Sequence, residues 1–365
     1  MAIYFFPIRT AVITFLAVAS FIMIPFLAWQ YRKYGAISLL RTGILFSFVF
    51  YLLSAYYLVI LPLPDPATLA PHTNIRQFMN LIPFQFVFDF IRETSFQPTS
   101  IGSILPALLE PVFIQPVFNI ALTIPFGVYL AYYFKQNLKK VLLFSFLLSL
   151  FFELTQLSAL YGLYPRPYRL FDVDDLMLNT LGGLVGYGLF QKFLFFLPSK
   201  DKMDERAAEK RDRVGYLRRG IALFIDYTII GIAAGALVNI MHGSLGISSG
   251  LLSAFVLPLL LFAYFMLSQR FWGKSLGQRS VRIQVSAAKE SGGQAFFVRH
   301  GLFSFIVLLF SLLSFFVETT YYNGVFAFFY LVLLLALGID FFVSLKKEQQ
   351  FFFERLSQTK YNSTK

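Results

Sequence analysis

The residues best placed to do chemistry are carboxylates set inside apolar runs. Phe152-Glu153-Leu154-Thr155-Gln156 puts one glutamate in a hydrophobic stretch, and Arg169-Leu170-Phe171-Asp172-Val173-Asp174-Asp175, followed by Asn179, opens the next one. Glu153 and Gln156 are three residues apart and share a helix face. Asp172, Asp175 and Asn179 share a face of the following helix by the same kind of spacing, which turns Asp174 away. A second group comes later: Arg219 and Asp226, two turns apart on one face, and Asp340 near the end of the last apolar run. A charge at a bilayer centre costs ~2.5–3.5 kcal/mol on insertion scales, so such residues face a bundle interior or a wet cavity. Three chemistries suit them: binding a polar group, acid–base work by Glu153 and Asp175 on a bound substrate, and coordination of a divalent cation by oxygen. The structural alternative is a network that only pairs helices.

The elements that must position these groups are membrane helices. The chain has 365 residues, 57% hydrophobic and 14% charged, against about 25% charged in soluble domains. Its 47 phenylalanines suit lipid-facing helices and interfacial belts. The absence of cysteine excludes disulfides, thiolate nucleophiles and Cys-based zinc sites. No Walker loop, GxGxxG, GxSxG or HExxH occurs, so nucleotide-loop and protease chemistry find no support, and no metal site or cofactor is expected. The histidines are expected in outer loops (His72, His242) and at an inner helix start (His300), none placed to form a ligand pair. The net charge of +12 would suit nucleic acid, but its basic residues cluster in short loops, where they orient the protein and meet anionic lipid.

A span needs ~20 apolar residues. Nine candidates lie near 11–30, 43–63, 112–134, 141–160, 173–196, 220–240, 250–269, 300–319 and 325–345. The first apolar run, Ala11 to Trp29, is too long for an ordinary signal peptide. Basic residues follow the first span (Arg32, Lys33, Arg41) and the third (Lys135, Lys139, Lys140). They recur in 197–219, in 270–299 (against Glu290 alone) and in the tail (Lys346, Lys347). Placing these segments in the cytoplasm predicts an all-α polytopic membrane protein of five plus four helices, N-terminus outside and C-terminus inside. The charged stretch 198–213 reads as a linker between a domain at 1–197 and one at 214–365. Within the outer segment 64–111, Asn80 to Ile91 is apolar, broken by Pro83 and too short to span, so it is expected to be re-entrant or interfacial. In the loop 270–299, alternating Val281, Ile283 and Val285 predict a strand-like piece.

At ~1.5 Å per residue, Glu153 falls roughly 10 Å and Asn179 about 9 Å below the outer edge. That places them at one level, with Asp172 and Asp174 at the wet rim and Arg166 and Arg169 as counter-ions. Asp226 lies roughly 10 Å and Asp340 about 8 Å in from the cytoplasmic side. Gly182 and Gly186 have the GxxxG spacing of close helix packing.

Residues 40–196 resemble the VanZ-like family of bacterial membrane proteins. The resemblance rests on Asn80-Leu-Ile-Pro-Phe84, on Asn119-Ile-Ala-Leu-Thr-Ile-Pro-Phe-Gly127, and on Glu153-x-x-Gln156 followed by Arg169-x-x-Asp172-x-Asp174-Asp175-x-x-x-Asn179-x-x-Gly182. The family is named for a protein associated with resistance to teicoplanin, a glycopeptide acting on peptidoglycan precursors outside the membrane. Residues 214–362 resemble the RDD family, for which transport has been proposed. Arg219, Asp226 and Asp340 fit its arginine and two aspartates, GKSLGQRSVRIQV fits a further signature, and FERLSQTKYN carries Glu354 where an aspartate is usual.

These readings converge on a multi-pass protein of the bacterial plasma membrane. Its expected outer-leaflet pocket is Glu153, Gln156, Arg169, Asp172, Asp175 and Asn179, and its inner-leaflet cluster is Arg219, Asp226 and Asp340. The expected partners are membrane lipids and a lipid-linked envelope precursor or glycopeptide. The alternatives are an ion-coupled transporter using the intramembrane acids and a membrane enzyme on a lipid-linked substrate.

Overall fold

In a computed structural model the described residues are 2–69, 74–97, 99–193, 196–209, 212, 214–287, 292–319, 323–346 and 350–364. His72, Glu290 and Lys347 of the sequence reading lie outside them, as do Lys210, Arg211 and Arg213 of the linker. The chain divides into two compact units, Met1–Phe21 with Ser38–Met203, and Ile22–Ile37 with Asp204–Lys365.

The first unit contains the start of α1 (Ala2–Tyr34), then α2 (Leu39–Ile60), β1 (Met79–Asn80), α3 (Gln85–Glu93), α4 (Ile104–Leu108) and α5 (Pro111–Tyr132). It continues with α6 (Leu138–Leu157), α7 (Ala159–Gly162), β2 (Phe171–Asp172), α8 (Val173–Phe193) and the first turn of the charged helix α9 (Lys200–Ala208). Helix α8 packs between α5 and α6. Small residues permit this: a Cβ on Gly182 would fall 2.1 Å from Ile120 O, and one on Gly186 2.1 Å from Ile124 O. The GxxxG spacing is thus a packing face, as expected.

The all-α polytopic architecture holds, with one difference in the spans. Among the described residues eight helices are long and apolar enough to cross a membrane, and α8, the expected fifth span, is not one of them. Asp174, Asp175, Asn179 and Lys192 lower its hydropathy. A helix enclosed by neighbours does not have to be soluble in lipid, because its polar groups find partners in protein.

Between α6 and β2 the chain turns through Ala159, Leu160 and Tyr161, all at positive φ (53°, 54° and 59°), before Gly162 at 83°. Left-handed backbone costs non-glycine residues roughly 1–2 kcal/mol each, so packing must hold this turn. The buried Ala159 and Leu160 side chains supply it. The segment expected to be interfacial starts as β1, paired in parallel with β2, and becomes α3. Leu81, Ile82, Phe84, Phe88 and Ile91 are exposed along it, the apolar face an interfacial helix needs.

The second unit holds the rest of α1, α10 (Tyr216–Leu245), α11 (Ser249–Trp272), α12 (Leu276–Ser280), β3 (Ile283–Ala287), α13 (Gly292–Thr319), α14 (Asn323–Lys346), α15 (Phe352–Leu356) and β4 (Thr359–Ser363). The expected strand is present: β3 pairs antiparallel with β4, and Val281, Ile283 and Val285 are fully buried. They pack with Leu27, Ala28 and Tyr31 of α1 against Ile221 and Ala222. Helix α10 runs past its expected end, so His242 lies in its last turn and not in a loop. Helix α13 starts early enough to contain Arg299.

Candidate functional site at the head of α8

Three polar stripes at helical spacing meet in the first unit: Asn119 and Thr123 on α5, Ser145, Ser149 and Glu153 on α6, and Asp175 and Asn179 on α8. Their register comes from hydrogen bonds. The Asn179 amide donates to Ser149 Oγ (3.0 Å), Ser149 Oγ donates to Asp175 O (3.2 Å), and Thr123 Oγ1 donates to Asn179 O (2.6 Å). With Ser149 opposite Asn179, Glu153 stands one turn further along α6, level with Asp175. The expected alignment of Glu153 with Asn179 is therefore corrected by one turn. The cause is the chain's entry into α8, directly from a strand pairing that reaches down to Glu153.

Glu153 is 2% exposed, and its Oε2 accepts from the Asp172 N–H at 2.9 Å. Asp175 accepts from the Asn119 amide. Glu153 Oε1 and Asp175 Oδ2 have no hydrogen-bond partner among the described residues. Asn179 Oδ1 is buried with none either. Glu153 and Asp175 lie within electrostatic reach of each other and of Arg169. Arg169 forms no ion pair among the described residues and donates to Leu61 O at 3.1 Å. Gln156 turns to α2 and donates to Val59 O at 3.1 Å, and Arg166 stacks over Phe78. Among the described residues the helix-pairing alternative does not take the form of a Glu153 hydrogen bond to Gln156 or Asn179, and neither Arg166 nor Arg169 makes an ion pair with these carboxylates.

Asp172 and Asp174 are not rim residues in water. Asp174 is 3% exposed, and its two oxygens accept from the Phe84 N–H (2.6 Å) and the Phe86 N–H (2.9 Å). It therefore caps the start of α3 from another helix, placing negative charge where the unpaired N–H groups and the dipole favour it. Asp172, half-buried at the head of α8, accepts from the Asp174 N–H (2.8 Å) and the Asn80 amide (3.2 Å). Burial lifts its carboxyl above the usual aspartate range, outweighing those hydrogen bonds. Replacing Asp174 with alanine is expected to cost about 1–2 kcal/mol, the upper range for a lost N-cap. Faster amide exchange across residues 80–93, with α5 and α6 unchanged, checks it.

Among the described residues no group of three or more His, Asp and Glu side chains is arranged to hold a metal ion, so the coordinating arrangement weighed for Asp172, Asp174, Asp175 and Glu153 is not formed.

In the second unit Arg219, Asp226 and Asp340 do not pair with one another. Asp226 accepts from Tyr264 Oη (2.6 Å), Ser275 Oγ (2.5 Å) and the Gly277 N–H (2.7 Å), fixing α12 to α10. Asp340 accepts from Arg355 (2.7 Å) and the Phe352 N–H (2.9 Å). Arg219 pairs with Glu354, as does Arg299. Every carboxylate oxygen of Asp226, Asp340 and Glu354 thus has a protein partner, unlike those of Glu153 and Asp175.

Sequence reasoning missed Asn119, Ser149, Thr123, Arg299 and Tyr264 as partners. The i, i+4 polar stripe of Ser145, Ser149 and Glu153 along an apolar helix was the available signal for the first unit. Nothing local marked Arg299.

A VanZ/LLP1 family model matches residues 48–197 and an RDD family model matches residues 213–358. No curated protein and no solved structure matches the chain. The two families, with the apolar helices, make this a multi-pass membrane protein of the cell envelope. The chain thus carries a VanZ/LLP1-family domain at residues 48–197 and an RDD-family domain at residues 213–358.

Proposed function

We propose that this is a protein of the bacterial plasma membrane whose VanZ-like unit binds a donor-bearing polar group at the outer leaflet, through Glu153, Asp175 and Asn179. One observation carries the reading: beside the unpartnered Ser145 hydroxyl, three acceptors converge without a hydrogen-bond partner among the described residues, Glu153 Oε1, Asp175 Oδ2 and the buried Asn179 Oδ1. Buried acceptors are normally satisfied, so the fitting partner presents hydroxyl, amide N–H or ammonium groups. An amino sugar or sugar headgroup of a lipid-linked envelope precursor has them, as does a teicoplanin-type glycopeptide. Arg169 at the rim suits an attached phosphate or carboxylate. The basic loops support an orientation with the N-terminus outside and the C-terminus in the cytoplasm.

The test is Glu153→Gln and Asp175→Asn in a strain where the gene lowers teicoplanin susceptibility, with membrane abundance followed in parallel. A charge-assisted hydrogen bond is worth ~1.5–3 kcal/mol, or about ten- to a hundredfold in affinity. Protection should fall while abundance holds. Full protection in both variants at normal abundance would falsify the reading.

A further inference from the structure

The second unit contains a cavity of about 220 Å³ between α10, α13, α14 and α15. Its walls are mostly aromatic, with Phe265, Phe303, Phe353 and Tyr361 among them. Its charged groups balance, Arg219 and Arg299 against Glu354 and Asp226. Both arginines are bound to Glu354 and lie over the Tyr361 ring, at 4.9 and 4.6 Å, so the charges are spent on the protein itself. Among the described residues two buried nitrogens of the wall lack a hydrogen-bond partner, Arg219 Nε and a histidine nitrogen that belongs to no ion pair. His300 is 5% exposed and stacked on Phe265 (5.2 Å between centroids, 7° between planes), and its Nε2 is buried with no hydrogen-bond partner.

The cavity reaches the surface beside Gly220, Leu223 and Phe341, the exposed members of its lining, between α10 and α14. There Tyr216 of α10 meets α14 through its hydroxyl to Ser344 (2.6 Å) and its ring to Phe341 (5.2 Å). Both helices are long and apolar enough to cross a membrane, so a gap between them is an opening toward lipid.

We propose that this cavity binds the headgroup of a quinone-type lipid, a neutral ring bearing carbonyl or hydroxyl oxygens on an apolar tail. A balanced wall disfavours a ligand with net charge, because its charge would be desolvated without compensation. Flat aromatic walls accept a ring by stacking. The unmet Nε2 calls for one oxygen on that ring: it donates to a carbonyl as N–H, or accepts from a hydroxyl in the other tautomer. A phospholipid acyl chain would fill the same volume and leave Nε2 unsatisfied. The lateral opening gives the tail its route into the bilayer.

The test uses the full-length protein in nanodiscs of quinone-free phospholipid, titrated with decylubiquinone, and with decanol as the control for the alkyl tail. Two variants separate binding from folding. His300→Phe keeps the ring on Phe265 and removes Nε2. Gly220→Leu, where an added Cβ meets nothing within 4 Å, fills the mouth from a different helix. The expected result is saturable binding of one decylubiquinone, at least tenfold weaker in His300→Phe and absent in Gly220→Leu, with melting temperatures held. Non-saturable partitioning, equal affinity for decanol, or unchanged affinity in either folded variant overturns the proposal.

Discussion

Replacing Glu354 with alanine is expected to destabilise the second unit by about 3–5 kcal/mol, the usual cost of leaving a buried charge uncompensated. Glu354 is 1% exposed and holds three donors: Arg219 at 3.1 Å, Arg299 at 3.0 Å and the Phe351 N–H at 3.1 Å. Arg299, itself 4% exposed in its side chain, has among the described residues only the neutral Thr359 hydroxyl as its other hydrogen-bond partner. Truncation therefore strands the Arg299 guanidinium against aromatic rings and removes a carboxylate partner from Arg219. Domains are stable by only ~5–15 kcal/mol, so the loss would show as reduced membrane accumulation and a lower melting temperature. Glu354→Gln keeps the acceptor and still leaves the cations unbalanced, so it should fall between alanine and wild type. The exposed pair of Lys135 with Asp201 is the contrast: both side chains are more than half exposed, at 51% and 72%, and breaking it should change stability by less than about 1 kcal/mol.

The second large effect is expected at the glycines that let α8 lie against its neighbours. A Cβ on Gly127 of α5 would sit 1.9 Å from Gly183 O, and one on Gly183 would sit 1.9 Å from Ser145 Oγ. No rotamer relieves contact with a backbone carbonyl, so Gly127→Val must move a helix. Overpacking a tight core costs roughly 1–3 kcal/mol. Here the cost should reach the top of that range or pass it, since parting α5 from α8 also breaks the Thr123 and Asn119 hydrogen bonds. The control is Gly188→Ala on α8, where an added Cβ meets nothing within 4 Å. The natural chain has no cysteine, so engineered cysteine pairs across α5 and α8 report the separation without background. Cross-linking lost in Gly127→Val and kept in Gly188→Ala is the expected pattern; efficient cross-linking in both would count against it.

How much was legible in the sequence follows from the range of the interactions. The helices were, because a run of ~20 apolar residues specifies a span with no tertiary information. The strand at Ile283–Ala287 was, to within two residues, because period-two alternation is local. The Gly182 and Gly186 face and the polar face of α6 were readable for the same reason. Glu153 was visible as an anomaly because a carboxylate in an apolar run is costly wherever the run packs. Asp174 was misplaced because helical spacing places it relative to its own helix only. Its partners, the Phe84 and Phe86 N–H groups, lie 90 and 88 residues away. The grouping of Arg219, Asp226 and Asp340 failed likewise: each chose a partner from an element outside the comparison, Glu354 at the chain's end among them.

By itself, then, the sequence determined that the chain is a helical membrane protein in two halves and which residues are too polar for where they stand. Composition and periodicity act at every position and need no fold to be read. Tertiary structure decided which of those polar residues are consumed in holding the fold and which keep an unfilled acceptor. Hydrogen bonding saturates: an oxygen already satisfied by a distant N–H is structural, one left open is available, and only the assembled helices settle which is which.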